Sequence, residues 1–175
     1  MGAWAGPFLI AAVLLAGAGV AKAIDPVTTV GALRGFGIHV RPEVVRAGGG
    51  LEVVIAVVAA TTGNPLAALA VAASYLLFTA FVVAARVRHL PIGSCGCFGK
   101  IDTPPSGVHV VVNLGAVVAA IGVAAGGGGG LGDVLAAQPL AAVPFVLLVA
   151  VGAYAAFTAL TVVPRLALLR AERRP

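Results

Sequence analysis

An all-α bundle that crosses a membrane several times is the fold this sequence predicts, on three observations. Of its 175 residues 61% are hydrophobic and only 10% charged, where a typical soluble domain carries about a quarter charged residues. Apolar runs of about 20 residues, the length that crosses a hydrocarbon layer about 30 Å thick, recur along the chain. Lys and Arg gather beside some of the breaks between those runs and leave the other breaks bare. With a mean hydropathy of +1.11, a soluble fold would lack the polar surface to cover its core. The net charge of +5 and pI near 10.0 come without the interleaved aromatics of a base-stacking surface, which points to membrane topology and away from nucleic acid.

The first span is expected over residues 3–23. It has no charged n-region and no sharp cleavage region, although Ala21-Lys22-Ala23 faintly matches a small-x-small site, so it reads as a retained helix. Lys22 and Asp25-Pro26 end it. Gly17 and Gly19 would admit a neighbouring helix, but Gly and Ala are so abundant here that such small pairs are expected by chance. Residues 27–41 mix Arg34, His39 and Arg41 with glycines and suit a membrane-surface loop or a short interfacial helix.

Pro42 fits the first position of a second span, with Glu43 favourable in its first turn. The apolar stretch from Leu51 to Ala85 would make about 50 Å of helix at 1.5 Å per residue. That is too long for one crossing. Gly63-Asn64-Pro65 breaks it into spans over 42–62 and 65–86, joined by a tight hairpin. Arg86, Arg88 and His89 mark the exit, and residues 90–105 form a Gly- and Pro-rich loop. Ser106 suits an N-cap for a fourth span over 107–125. Gly126 to Gly130 reads as a flexible linker. A fifth span covers 139–163, and 164–175 form a basic tail, all within one integral membrane domain.

The basic residues fall beside the first interhelical segment, the third, and the tail, whereas the amino terminus, the Asn64 hairpin and the polyglycine segment have none. Cytoplasmic loops carry the excess of Lys and Arg. This predicts five spans with the amino terminus outside and the 90–105 loop and carboxyl terminus cytoplasmic.

Both cysteines of the chain lie in that loop, in Ser94-Cys95-Gly96-Cys97-Phe98-Gly99-Lys100. Residues two apart can bend into the roughly 4.4–6.8 Å Cα window of a disulfide, and Gly96, lacking a Cβ, eases the bend. A strained bond is more readily reduced, so such a pair suits labile or catalytic thiol chemistry better than a permanent staple. Lys100, Arg86 and Arg88 would favour the thiolate. Two small loop cysteines with no chemistry are the competing reading. Zinc on Cys95, Cys97, His89 and His109 is another, but the spacing is not a standard one, and no metal is expected.

Glu52 falls near the middle of the second span, where a carboxylate is costly and faces a partner, the bundle interior or water. Lys22 is its available mate. Glu52 then acts as a proton acceptor or buried polar contact, or it sits only two turns deep because residues 42–46 lie outside the membrane. Asn113, Ser74, Tyr75 and Thr79 offer interior hydrogen bonds.

These residues resemble the MauE branch of the DoxX-like, redox-associated membrane proteins. The resemblance runs over roughly residues 17–120: Gly19-Val20-Ala21-Lys22 with Asp25-Pro26, Gly35-Phe36-Gly37-Ile38, Leu51-Glu52, Leu76-Leu77-Phe78-Thr79, Cys95-Gly96-Cys97-Phe98-Gly99 and Asn113. Where that family often has Arg before the Asn, this chain has Val112. The resemblance implies a DoxX-like four-helix core with a fifth helix added, and a role in maturation or export of the disulfide-rich small subunit of methylamine dehydrogenase.

The expectation is therefore a membrane thiol–disulfide protein in which Cys95 or Cys97 attacks a partner disulfide and the other resolves it, supported by Lys22, Glu52, Lys100 and Asn113. It would assist maturation of, or electron delivery to, a partner protein, and a quinone is the lipid-soluble acceptor its position allows. Client chemistry on an exported protein faces outward. Either the loop relays electrons from a cytoplasmic donor, or the charge-based orientation is inverted. The alternatives are an assembly or transport subunit whose cysteines only shape the loop, and a carrier with a polar cavity at Glu52.

Overall fold

The computed structural model describes residues 2–90, 92, 96–98, 103–126, 129–137 and 139–172. Helices follow one another along the chain: α1 (Ala5–Ile24), α2 (Val27–Gly35), α3 (Pro42–Thr62), α4 (Pro65–Val87), α5 (Gly107–Gly126), α6 (Leu131–Ala137), α7 (Pro139–Thr161) and α8 (Val163–Glu172). Among the described residues the protein is all-α, and five helices, α1, α3, α4, α5 and α7, are long and apolar enough to cross a membrane. It is a multi-pass membrane protein.

The spanning helices form two closely packed pairs, α1 with α3 and α4 with α5, and the pairs close into a four-helix core through α1–α5 and α3–α4 contacts. The core is built of small residues around a few larger ones: Phe8, Ala11 and Leu15 meet Ala56, Ala59, Val71, Tyr75, Ala120 and Val123. Small side chains let helices approach closely where lipid supplies no hydrophobic drive between them. α7 contributes no residue to this cluster and packs outside it, on α1 and α5. Large apolar side chains such as Leu66, Leu77 and Leu140 point outward, an arrangement that lipid solvates and water does not.

The break at Gly63-Asn64-Pro65 has an explicit geometry. Gly63 caps α3 in the left-handed region at φ +60, and the Asn64 side chain accepts from the amides of Leu66 and Ala67 at 2.8 and 3.4 Å. Pro65 starts α4. Here a glycine end, an N-cap and a first-position proline coincide in three residues.

Of the two readings for residues 27–41, loop or short interfacial helix, the structure has the short helix, as α2. Two features depart from the sequence expectations. The polyglycine segment is no free linker where it is described: a Cβ at Gly63 would lie 2.5 Å from the Gly130 nitrogen, and the Gly129 and Gly130 amides donate to Asp133 at 2.9 and 3.2 Å. That carboxylate caps α6, which the sequence reading did not foresee. Beyond residue 163 the chain is helical to Glu172 as α8; heptad-like apolar spacing at Leu166 and Leu169 was the available signal.

Candidate functional site

The site begins where α1 crosses α3. A Cβ at Gly19 would lie 2.5 Å from the Gly49 carbonyl oxygen, and one at Gly49 would lie 2.5 Å from that of Gly19, so the two backbones touch. Lys22 and Glu52 each follow one of these glycines by three residues and therefore share its helix face. Side chains lean toward the amino end of their helix, which carries Lys22 back along α1 to Glu52. Its Nζ donates to Glu52 Oε1 at 2.8 Å and to Oε2 at 2.6 Å. Lys22 is only 7% exposed, so this is a buried pair in which each charge neutralises the other. Sequence reasoning named the pair but discounted Gly19, whose close approach forms it; the Gly-x-x-charge spacing on both helices was the signal. A Cβ at Gly17 would meet nothing within 4 Å.

Lys22 lies two residues from the end of α1 and is level with Gly49, while Glu52 is level with Gly19, so the first turn of α3 projects past α1, beside α2. Glu52 is thus central in its own helix yet level with the last turns of its neighbour. The ammonium also sits 4.3 Å above the Phe78 ring of α4, a favourable cation–π position. One turn back, Tyr75 meets Phe78 edge-on at 5.8 Å and donates its hydroxyl to the Ala11 carbonyl at 2.7 Å.

The cysteine loop folds onto this assembly. Ile92 packs with Ala32 of α2 and Ala85 of α4, next to Phe36 and Phe81, whose rings are 4.8 Å apart. Thr29 donates its hydroxyl to the Gly96 carbonyl at 2.6 Å. Gly96 has φ +78, and a Cβ there would meet the Thr29 Cα at 2.9 Å, so both conformation and space require glycine. On the other side Phe98 meets Phe157 of α7 edge-on at 5.2 Å, and buried Thr103 donates to the Leu160 carbonyl at 3.0 Å. The loop is held between α2 and α7.

Cys97 lies on two cavities. The larger, about 310 Å³, is walled by α1, α2, α3 and α4 and contains Lys22, Glu52, Phe78 and Cys97 in its lining. The smaller, about 20 Å³, brings Cys97 to Tyr75, His109, Val112 and Asn113. His109 is buried, with Nδ1 2.8 Å from the Ser106 hydroxyl. Of the residues singled out in the sequence, the structure thus joins Lys22, Glu52, Cys97 and Asn113 around one region. Cys95 and Lys100 lie outside the described residues. Arg86 and His89 line a different cavity with Pro104 and Pro105, so among the described residues Lys22, and not Arg86, lines a cavity with Cys97. Among the described residues no three His, Cys, Asp or Glu side chains come together.

A family model described as methylamine utilisation protein MauE matches residues 1–126. The chain belongs to the MauE family. The match takes in the four core helices, the ion pair and the cysteine loop and stops at the end of α5, so α6, α7 and α8 lie beyond it. No curated protein and no solved structure matches the chain.

Proposed function

We propose that this MauE-family membrane protein is a thiol–disulfide redox protein that assists maturation of, or electron delivery to, a partner protein, with methylamine dehydrogenase maturation as the setting the family description favours. The observation that carries this is the placement of Cys97: a loop pinned through Gly96 to Thr29 and through Phe98 to Phe157 sets it on the wall of the cavity that holds the Lys22–Glu52 pair. Cys95, two residues earlier in the sequence, supplies the second thiol. The thiolate of one cysteine attacks a partner disulfide, a mixed disulfide forms, and the second cysteine displaces the partner as a dithiol; the same exchange run in reverse oxidises a client dithiol and leaves the pair reduced.

The membrane is the plasma or inner membrane. The amino terminus lies outside, and the cysteine loop and carboxyl terminus face the cytoplasm, where a cytoplasmic thiol donor can reach the loop. The gathering of α2, residues 96–98 and the start of α8 at the end of the bundle opposite the Gly63 hairpin supports this, since the described parts of the three basic segments share that end. The test is Cys95→Ser, Cys97→Ser and the double variant, assayed for disulfide formation in the client. Full activity of the double variant would leave the cysteines a loop-shaping role, the reading that the tight Gly96–Thr29 packing otherwise favours. Labelling with a membrane-impermeant thiol reagent in intact cells, expected to fail until the cells are opened, tests the orientation.

A further inference from the structure

We propose that the cavity beside the Lys22–Glu52 pair binds the ring of a lipid-soluble quinone, which takes up the electrons of the thiol pair. This rests on the redox reading above in its client-oxidising direction, in which client dithiols reduce the pair by exchange and the quinone reoxidises it. The cavity volume of about 310 Å³ is at the small end of the roughly 300–1,000 Å³ of ligand pockets, suited to one substituted ring. Val44 of α3 and Leu77 of α4 line it and are 59% and 70% exposed. Its opening therefore includes an apolar stretch of the outer face of the bundle, through which a ligand dissolved in lipid can arrive.

The polar groups inside narrow the chemistry further. Lys22 and Glu52 neutralise each other through two short hydrogen bonds, so a charged ligand would have to break a buried pair, whereas a neutral one need not. An ammonium carries three N–H donors; two are engaged by Glu52 and the ammonium lies over the Phe78 ring, so the carbonyl oxygen of a neutral ring would take the remaining donor in place of that weaker contact. Aliphatic walls from Ala32, Leu33 and Val45 and the Phe78 ring supply its apolar surroundings. An acyl chain would fill the space but leave that donor unused. Cys97 lies on the same wall, so donor and acceptor of electrons adjoin. Two thiols lose two electrons and two protons as the S–S bond forms, and the quinone gains both to become a quinol.

The experiment uses the full-length protein in phospholipid nanodiscs with a short-chain ubiquinone as the probe, under anaerobic conditions. Binding is measured separately on Cys97→Ser, which cannot complete the redox step. Saturable binding is expected, with one quinol formed per two thiols lost in the wild type. Gly48 lines the cavity and Gly50 does not, and a Cβ at either meets nothing within 4 Å. Gly48→Phe is expected to weaken binding at least tenfold while Gly50→Phe leaves it within twofold, and Ala32→Leu provides a second filling variant if Gly48→Phe does not fold. Equal loss in Gly48→Phe and Gly50→Phe, or no saturable binding at all, overturns the site. Thiols that exchange with dipyridyl disulfide but neither bind nor reduce the quinone overturn this inference and leave the redox reading standing. Thiols inert to both overturn the two together.

Discussion

The two ends of the bundle are closed in different ways. At the end without basic residues the Gly63 turn packs directly on Gly130, and Asp133 caps the amides beside it, so backbone meets backbone and little space is left. At the basic end glycines again bring helices into contact, at Gly19 and Gly49, but the residues that follow them are charged. The projecting start of α3 and the short α2 then stand off the core and enclose a cavity. One end is a clamp, and the other holds a buried ion pair, a thiol and room for a ligand. Close packing by glycine creates a site only where polar side chains sit one turn away from the contact.

The sharpest way to break this contrast is to unbalance the ion pair. Glu52→Leu alone strands the Lys22 ammonium and is expected to destabilise the protein by about 3–5 kcal/mol, while Lys22→Met with Glu52→Leu restores stability to near or above wild type. Thermal unfolding in detergent micelles measures both. A single variant no worse than the double would mean that the pair is not a buried unit.

The helix crossings come next in size. Gly19→Leu forces apart two touching backbones and is expected to cost about 1–3 kcal/mol, and Gly63→Ala at φ +60 about 1–2 kcal/mol. Gly17→Ala, with open space around it, should be neutral or slightly stabilising. The same unfolding assay ranks the three, and a large loss in Gly17→Ala would upset the assignment of the crossing point.

Smaller effects sharpen the basic end. Tyr75→Phe removes the hydroxyl bonded to the Ala11 carbonyl and should cost about 0.5–1.5 kcal/mol. Phe157→Ala removes the ring against Phe98, a contact of about 0.5–1.5 kcal/mol beyond its buried area. Its clearer readout is alkylation of Cys97, which should quicken severalfold as the loop loosens. Unchanged alkylation would show that α7, which lies beyond the family match, does not hold the loop.

Much of the architecture was legible because lipid imposes it. Gly63-Asn64-Pro65 could be read as a break since each residue has a defined place at a helix end, and Lys22 and Glu52 could be paired since an isolated charge among apolar helices is unfavourable. α6 was not legible, because its cap depends on Asp133 reaching Gly129 and Gly130 while those pack on Gly63, far away in sequence. Nor could Gly19 be separated from Gly17 in a chain with 24 glycines: only one faces α3, and the facing is set by the crossing.

By itself the sequence determined an all-α, multi-pass membrane protein, its helix breaks, its asymmetric charge and its one cysteine loop. Those follow from local propensity and from the requirement that backbone groups be satisfied inside a membrane. The tertiary structure alone decided that Cys97 shares a cavity with Lys22 and Glu52, and that α2 and α7 hold the loop there. The reason is physical: residues 22, 52 and 97 come from three separate segments, and only helix packing fixes their distance.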